Sequence, residues 1–568
     1  MKKEFFKKWL AATLAAVMVL GVVACGQQEV NNDKEETKQS SEVKTSETVA
    51  STPTEAEDTG ITFPLEEEVT FTLAYKNAGD LEPEILEKCE FWQELYERTN
   101  VKIELVKLPA TDTMTKLNAM FMSGQEPDGI FSDFMTDANI NELVAADLLM
   151  PLTEYVNDPE IMPNFYERIL SESPSTKGVI TYPDGEIYAL PRYDGLESSY
   201  LESPMYINKT WVEKAGWKVE DIKTIDDLET VLTYFAENDM NGNGKDDEIP
   251  FIVLQGQAKN HFESFMGLYG IATKDGSYEN YVYVEDGKAI FAPTSDAYKD
   301  AILKLNDWYD KGLIWEEAFT ATYETWLAKY NSEVPVIGLY TNTFRTFPTA
   351  DQYVALAPVE VEGYEPSWYV HPGLKGVKGM FVATKSCENA DILVKWMDQL
   401  YDLDNAWRWS YGEEADGRYT VENGMYKVNN EISSDPLKLE ELSKTAPQVK
   451  WLINFATFGF TAADYNEGRI AISDAQQDAQ ETYDLYRPYL NDEIWPRPYL
   501  TNEVSTKLSE LRTDIFSVIN EKKAAWITGK ADIEKDWDEY CATLEQIGID
   551  EFVSLMQSAY DTYMAGQQ

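Results

Sequence analysis

The stretch VKIELVKLPATDTMTKLNAMFMSGQEPDGIFSD, residues 101–133, decides the fold. VKIELVKL (101–108) reads as a strand, DTMTKLNAMFMSG (112–124) as a helix closed by Gly124, and DGIFSD (128–133) as the next strand. Upstream, Val69, Phe71, Leu73 and Tyr75 alternate with Thr70, Thr72 and Ala74, the period of a strand. Pro83 then opens a helical run with Ile85, Cys89, Trp92 and Tyr96 on one face. A β-α-β-α-β order predicts a parallel, doubly wound sheet whose ligand crevice lies at the carboxyl ends of the strands. Tyr75, Lys76, Asn77, Ser132 and Asp133 fall at those ends.

After EIYALPRYDG (186–195) the alternation restarts with SPMYINKTWVEKAGW, TIDDLETVLTYFAEND, EIPFIVLQG and AYKDAILKLNDWYDKG, a second α/β unit. The last third is mostly helical. In ADIEKDWDEYCATLEQIG, Ile533, Trp537, Cys541 and Leu544 recur at helical spacing before Gly548. Trp92 and Trp537 are assigned to cores.

The chain has 568 residues, with 100 Asp plus Glu against 48 Lys plus Arg, a formal charge of −52. That balance argues against nucleic acid as a partner, since phosphates need a clustered positive surface. With 43% hydrophobic and 13% aromatic residues there is ample material for two or more cores.

MKKEFFKKWLAATLAAVMVLGVVACG opens with lysines, continues with apolar residues and ends in small ones before Cys25, the pattern of an export signal over residues 1–24. Val22-Val23-Ala24-Cys25-Gly26 resembles the lipobox of bacterial lipoproteins, which implies that Cys25 is lipidated and anchors the protein to the membrane. Residues 25–60 hold almost no aliphatic or aromatic side chain and read as a disordered tether with a reach of ~30 Å. Cys89, Cys387 and Cys541 are odd in number and lack CxxC spacing, so they read as buried apolar residues.

DMNGNGKDDEIPF (239–251) brings Asp239, Asn241 and Asn243 at alternate positions, Gly244 at the turn, the Lys245 carbonyl, and then Asp247 and Glu248. Calcium takes six to eight oxygens, and the first half matches the opening of an EF-hand loop. The second half departs, because Pro250 stands where the twelfth-position Glu belongs. On its own chemistry the stretch is either a cation loop or a solvated Asn-Gly turn.

Several segments resemble the family of extracellular solute-binding lipoproteins that feed ABC sugar importers, close to the alginate- and oligosaccharide-binding branch. They are EFWQELYERTNVKIELVKLP, ADLLMPLTEYVND, DGEIYALPR, MYINKTWVEKAGWKVEDIKTIDDLETVL running into DMNGNGKDDEIPF, FVATKSCENADILVKWMDQLYD, WSYGEEADGRY and AAWITGKADIEKDWDEYCATLEQIGIDEF. The resemblance implies a two-lobed periplasmic-binding-protein-like α/β fold, each lobe a sheet flanked by helices, with a helix-rich C-terminal third. Residues 61–192 plus about 373–415 would form the N-terminal lobe, and about 193–372 plus about 416–568 the C-terminal lobe. It also implies a non-enzymatic monomer at the extracellular face of the membrane. Such a protein closes on an oligosaccharide and delivers it to an ABC transporter permease, with structural calcium on Asp239, Asn241, Asn243, Lys245, Asp247 and Glu248.

Sugars are held by aromatic faces and flanking polar groups. RYDG, LYTNTF, SWYVHPG and AWRWSYG supply Tyr193, Tyr340, Trp368, Trp407, Trp409 and Tyr411 as stacking candidates. Asn77, Asp133, Arg192, Asn342 and His371 are the polar candidates. GLKGVKG (373–379) precedes a strand instead of opening a helix, so it is a turn and not a phosphate loop. His261 and His371 are the only histidines, which excludes a multi-histidine metal centre. The alternative function is a surface glycosidase or polysaccharide lyase with a structural calcium, needing only two suitably spaced carboxylates.

Overall fold

The computed structural model describes residues 61–76, 89–255, 262–272, 281–342, 347–370, 378–433, 437–438, 441, 459–491, 493 and 495–567. The export signal, Cys25, the tether, Asn77, His261 and His371 lie outside them. Among the described residues no helix is long and apolar enough to cross a membrane.

The first lobe runs β1 (Val69–Lys76), α1 (Glu90–Thr99), β2 (Val101–Leu108), α2 (Thr113–Ser123), β3 (Gly129–Met135), α3 (Asp137–Ala145) and α4 (Ser175–Ile180). β1 pairs in parallel with β2, from Val69 opposite Val101 to Lys76 opposite Leu108, and in parallel with β3. The alternation along the strands sorts side chains between two cores. Phe71, Leu73 and Phe131 face one, while Ala74 and Ile130 face the other. Helices cover both faces, so the small Ala74 is as buried as its large neighbours. On α1 the buried face is Phe91 and Leu95; Trp92 is half-buried and Tyr96 exposed, which corrects the face read from sequence.

The chain crosses at β4 (Tyr193–Asp194) into β5 (Met205–Asn208), α5 (Ile225–Glu237), β6 (Ile249–Ile252), the hairpin β7 (Val282–Glu285) and β8 (Lys288–Phe291), α6 (Asp296–Asp310), β9 (Ile337–Thr341) and β10 (Tyr353–Ala355). The second sheet has the order β10-β5-β9-β6, with β6 and β9 parallel and β5 antiparallel to β9. α5 starts at a capping box, in which Thr224 and Asp227 each bond the other's backbone N–H. Leu228, Val231, Leu232 and Phe235 then bury one stripe of α5.

α5 and α6 are also tied by charge. Glu229 accepts Lys304 Nζ at 2.6 Å, Trp308 Nε1 at 2.9 Å and Lys311 Nζ at 2.5 Å. Partial burial acts to raise its carboxyl, but those hydrogen bonds outweigh it and hold the group at about 2. The resulting stability is full above the ordinary carboxylate pKa and fades as pH falls toward 2. Glu229→Gln is therefore expected to lose about 2 kcal/mol at pH 7. Urea unfolding should show that deficit shrinking steadily below pH 4.5.

The chain then returns to the first sheet as β11 (Gly379–Ala383), antiparallel to β3, followed by α7 (Ala390–Asp398) and α8 (Leu403–Tyr411). The hairpin β12 (Tyr419–Glu422) and β13 (Met425–Val428), together with β14 (Gly459–Phe460), packs on α8 through Trp407, Tyr419, Phe460 and Ile470. A lobe boundary near 415 would cut this cluster, so the division drawn from sequence is moved beyond Ile470. Among the described residues after β11, side chains join the second lobe's core from Tyr483 onward. α9 (Asn502–Ile527), α10 (Ile533–Ile547) and α11 (Ile549–Gly566) bury Ile515, Trp526, Tyr540 and Phe552 there, with Trp537 among them. The far end of α11 reaches the first lobe, where Tyr563 packs against that core as well as its own.

Candidate functional site

The two lobes are joined where β4 lies parallel to β14, with Tyr193 opposite Gly459 and Asp194 opposite Phe460. One carboxylate clamps the pair. Glu172 Oε1 accepts the Tyr193 hydroxyl at 3.0 Å and the Ala462 N–H at 2.7 Å, and Oε2 accepts the Ala463 N–H at 2.9 Å. Gly195 N donates to Phe460 O at 2.6 Å, and the Tyr401 hydroxyl donates to Pro191 O at 2.5 Å. These bonds hold the crossing segment from both sides and fix what it presents.

It presents Arg192 and Asp194, next to Tyr411 at the end of α8, Arg418 and Tyr465. The Arg418 guanidinium lies 5.1 Å from the Tyr411 ring centroid, a cation–π distance. Its Nη1 donates to Ser410 O at 3.2 Å. Arg418 is only 5% exposed, and burial lowers its pKa. Among the described residues, Nε of Arg418 and Nε of Arg192 have no hydrogen-bond partner. Buried donors without acceptors are costly, so such atoms mark places where a ligand's oxygens would be favourable. Burial, then the charge of Asp194, pushes up the hydroxyl of Tyr465; burial likewise raises that of Tyr411. Both phenols stay neutral and able to donate. Asp194 Oδ1 accepts the Leu196 N–H at 3.1 Å. Donors of two guanidinium groups, one carboxylate and two phenols suit a polyol.

Of the residues singled out from sequence, Arg192 and Tyr411 belong to this group. Tyr193 is buried with its hydroxyl on Glu172, so it is a strut of the crossing and not a stacking face. Four other aromatic candidates are corrected to core because their faces are covered by other rings. Tyr340 stacks on Tyr206 at 5.3 Å among Tyr330, Phe347 and Tyr353. Trp368 meets the ring of Tyr486 at 4.9 Å and donates its indole N–H to Glu202 O. Trp407 is enclosed by Tyr411, Tyr419, Tyr426 and Phe460. Trp409 is enclosed by Phe91, Trp92 and Phe131. Asn342 follows β9, is buried, and donates its backbone N–H to Pro204 O. Asp133 lies in β3, with its side chain outside the described residues, as are Asn77 and His371. Sequence reading missed Arg418, Asp194 and Tyr465 as site residues. Arg418 was within reach, seven residues beyond Tyr411 in WSYGEEADGRY.

The loop from Asp239 joins α5 to β6. Asp239 Oδ1 accepts the N–H groups of Gly242 and Asn243, and Oδ2 that of Gly244. Asp247 accepts the side-chain amides of Asn241 and Asn243, and Glu248 Oε1 accepts the N–H groups of Met240 and Asn241. Lys214 Nζ donates to Met240 O at 2.5 Å. Gly242 and Gly244 take left-handed φ of 75° and 73°. The loop is thus a ring of oxygens turned toward its own N–H groups. Among the described residues no three His, Cys, Asp or Glu side chains converge as a metal cluster, so amide and carbonyl oxygens would have to complete one. The free cysteines Cys89 and Cys387 are buried, and Cys541 is half-buried.

Residues 90–425 match the family described as bacterial extracellular solute-binding protein. A fructooligosaccharide ABC transporter substrate-binding protein of Streptococcus pneumoniae, FusA, is 29% identical over 538 residues, covering 89% of this chain and 93% of the relative. The structure of FusA in complex with kestose superposes with a TM-score of 0.63 at 25% identity, over 87% of this chain and 99% of that one. FusA has also been solved as an EF-hand mutant in complex with fructo-nystose, with a TM-score of 0.64. A solute-binding protein of Bifidobacterium longum infantis that binds HMO has a TM-score of 0.70 at 23% identity, over 87% of this chain and 99% of that one, which shows the shared fold.

Proposed function

The chain belongs to the bacterial extracellular solute-binding protein family, and on that premise we propose that it captures an oligosaccharide by closure of its lobes for an ABC transporter permease. The observation that carries this reading is the likeness to a fructooligosaccharide-binding protein along 89% of the chain, including the crossing segments. In this reading the sugar would lie against Arg192, Asp194, Tyr411, Arg418 and Tyr465, whose donors and acceptors answer hydroxyl groups. A binding protein needs no chemistry of its own. The carboxylates at the crossing accept backbone N–H groups, which suits support better than proton transfer. Calorimetric titration with fructo-oligosaccharides, human-milk-type oligosaccharides and alginate fragments tests the sugar class; saturable binding of a neutral oligosaccharide is expected, and none with any of them would reject the reading.

Lipidation at Cys25 would keep the protein captive at the outer face of the membrane as a monomer, with residues 25–60 as its tether. Calcium at the loop is part of the same reading. Asp239, Asn241, Asn243, the Lys245 carbonyl, Asp247 and Glu248 would hold it, and it would brace the α5–β6 corner. Removing calcium with EDTA is expected to lower Tm by several degrees, and Asp239→Ala to make Tm insensitive to calcium. A Tm that ignores both EDTA and the substitution would sink the calcium assignment.

A further inference from the structure

A buried charge cluster stands one residue from Tyr465, behind the group at the crossing. Asp464 is completely buried in the short helix Ala462–Asn466. Its Oδ2 accepts Arg168 Nη2 at 2.7 Å and the Thr461 N–H at 2.7 Å, while Oδ1 lies 3.1 Å from Arg469 Nη2. Its carbonyl accepts the N–H groups of Arg469 and Ile470 at 2.8 and 2.9 Å. Arg168 comes from the first lobe, on the π-helix Phe165–Leu170, four residues before Glu172. Both side chains reach the same short helix, Glu172 at the N–H groups of Ala462 and Ala463, and Arg168 at Asp464.

A helix of five residues has no stability of its own, so these ties decide how it sits. The bonds from Glu172 act on N–H groups of the first turn, which point along the axis, and they leave rotation about that axis open. The Asp464 carboxylate stands off the axis and is gripped from two sides, which closes that rotation. Tyr465 is the next residue. The rotation therefore sets where its phenol points, and the phenol hydrogen-bonds toward Asp194.

The cluster is a poor device for stability alone. Among the described residues, Arg168 Nη1 and Arg469 Nε are buried without a hydrogen-bond partner. Apolar side chains of the same shape would pack there at less cost, whereas charges fix a geometry. We propose that Asp464, gripped by Arg168 and Arg469, is a positioning residue for oligosaccharide capture, holding the Tyr465 hydroxyl beside Asp194. This role rests on the capture reading proposed above.

Fluorine NMR of the full chain, with 3-fluorotyrosine at position 465 alone, reads the orientation without any sugar. One narrow line is expected. Arg168→Met leaves Asp464 its ion pair with Arg469, and should split that line or double its width; Asp464→Asn should disturb it further. Calorimetry with the fructo-, human-milk-type and alginate oligosaccharides reads the consequence. Arg168→Met should weaken the sugar that binds by about tenfold, but by less than about twofold in a chain already carrying Tyr465→Phe. A fluorine line unchanged in both variants, beside intact sugar binding, overturns the proposal alone. So does an equal loss of affinity with and without Tyr465→Phe, which means a general loosening of the fold. No binding of any of these sugars by the unaltered chain rejects the capture reading, and the proposal with it.

Discussion

Arg418→Met is expected to weaken binding of the captured oligosaccharide by ten- to a hundredfold while leaving thermal stability equal or slightly raised. The two halves of that result have one cause. In the free protein Arg418 is a buried cation with one hydrogen bond to Ser410 O, a ring at 5.1 Å, and an Nε with no partner among the described residues. Replacing a buried, poorly compensated charge by an apolar side chain of similar length is often neutral or stabilising. A hydrogen bond from a charged donor to a ligand hydroxyl contributes about 1.5–3 kcal/mol, and each 1.4 kcal/mol is tenfold in affinity. A purely structural arginine would give the reverse pattern, with lost stability and affinity intact. Calorimetry with that oligosaccharide and a thermal melt of the same preparation read both halves.

Gly195→Ala is expected to be the most damaging alanine substitution among the described glycines, costing roughly 3 kcal/mol or more, or preventing folding. A β-carbon at Gly195 would lie 2.1 Å from the Ala462 nitrogen, 2.6 Å from the Thr461 carbonyl carbon and 2.8 Å from Glu172 Oε1. Two of those three atoms are backbone and the third is the clamp itself, so nothing can move aside without opening the joint between the lobes. Gly459→Ala on the partner segment supplies the comparison. Its β-carbon would meet the Tyr401 ring at 3.1 Å and Ile169 Cδ1 at 3.3 Å, contacts that side chains can relieve. Urea midpoints should rank wild type, Gly459→Ala and Gly195→Ala in that order. Equal midpoints for the two alanines would show that the joint is looser than its geometry.

Much of the first lobe was legible because period-two alternation is a local signal. Phe71 and Leu73 fall on one core and Ala74 on the other, as a strand with helices on both faces requires. The face of α1 was misread because it carries aromatic residues on two sides. Phe91 and Leu95 meet the sheet, while Tyr96 turns outward and donates to Glu68. The aromatic site candidates failed for a related reason. A tryptophan beside a polar turn looks alike whether it lines a crevice or is covered by a distant ring, and Trp409 is covered by Phe91 and Phe131 from far upstream. The lobe boundary near 415 failed because Trp407 recruits the β12–β13 hairpin and β14 onto α8, a tertiary choice that local composition does not record. Arg418 escaped notice for the opposite reason. In sequence it resembles any surface arginine, and only its burial against Tyr411 makes it worth testing.

The central claim is capture of an oligosaccharide without chemistry. Isothermal titration of the intact chain with fructo-, human-milk-type and alginate oligosaccharides, followed by chromatography of the recovered sugar, tests it most directly. The expected result is one saturable binding event per chain with one of these sugars, which is returned whole. Release of shorter sugars, or no heat of binding for any of them, would contradict it.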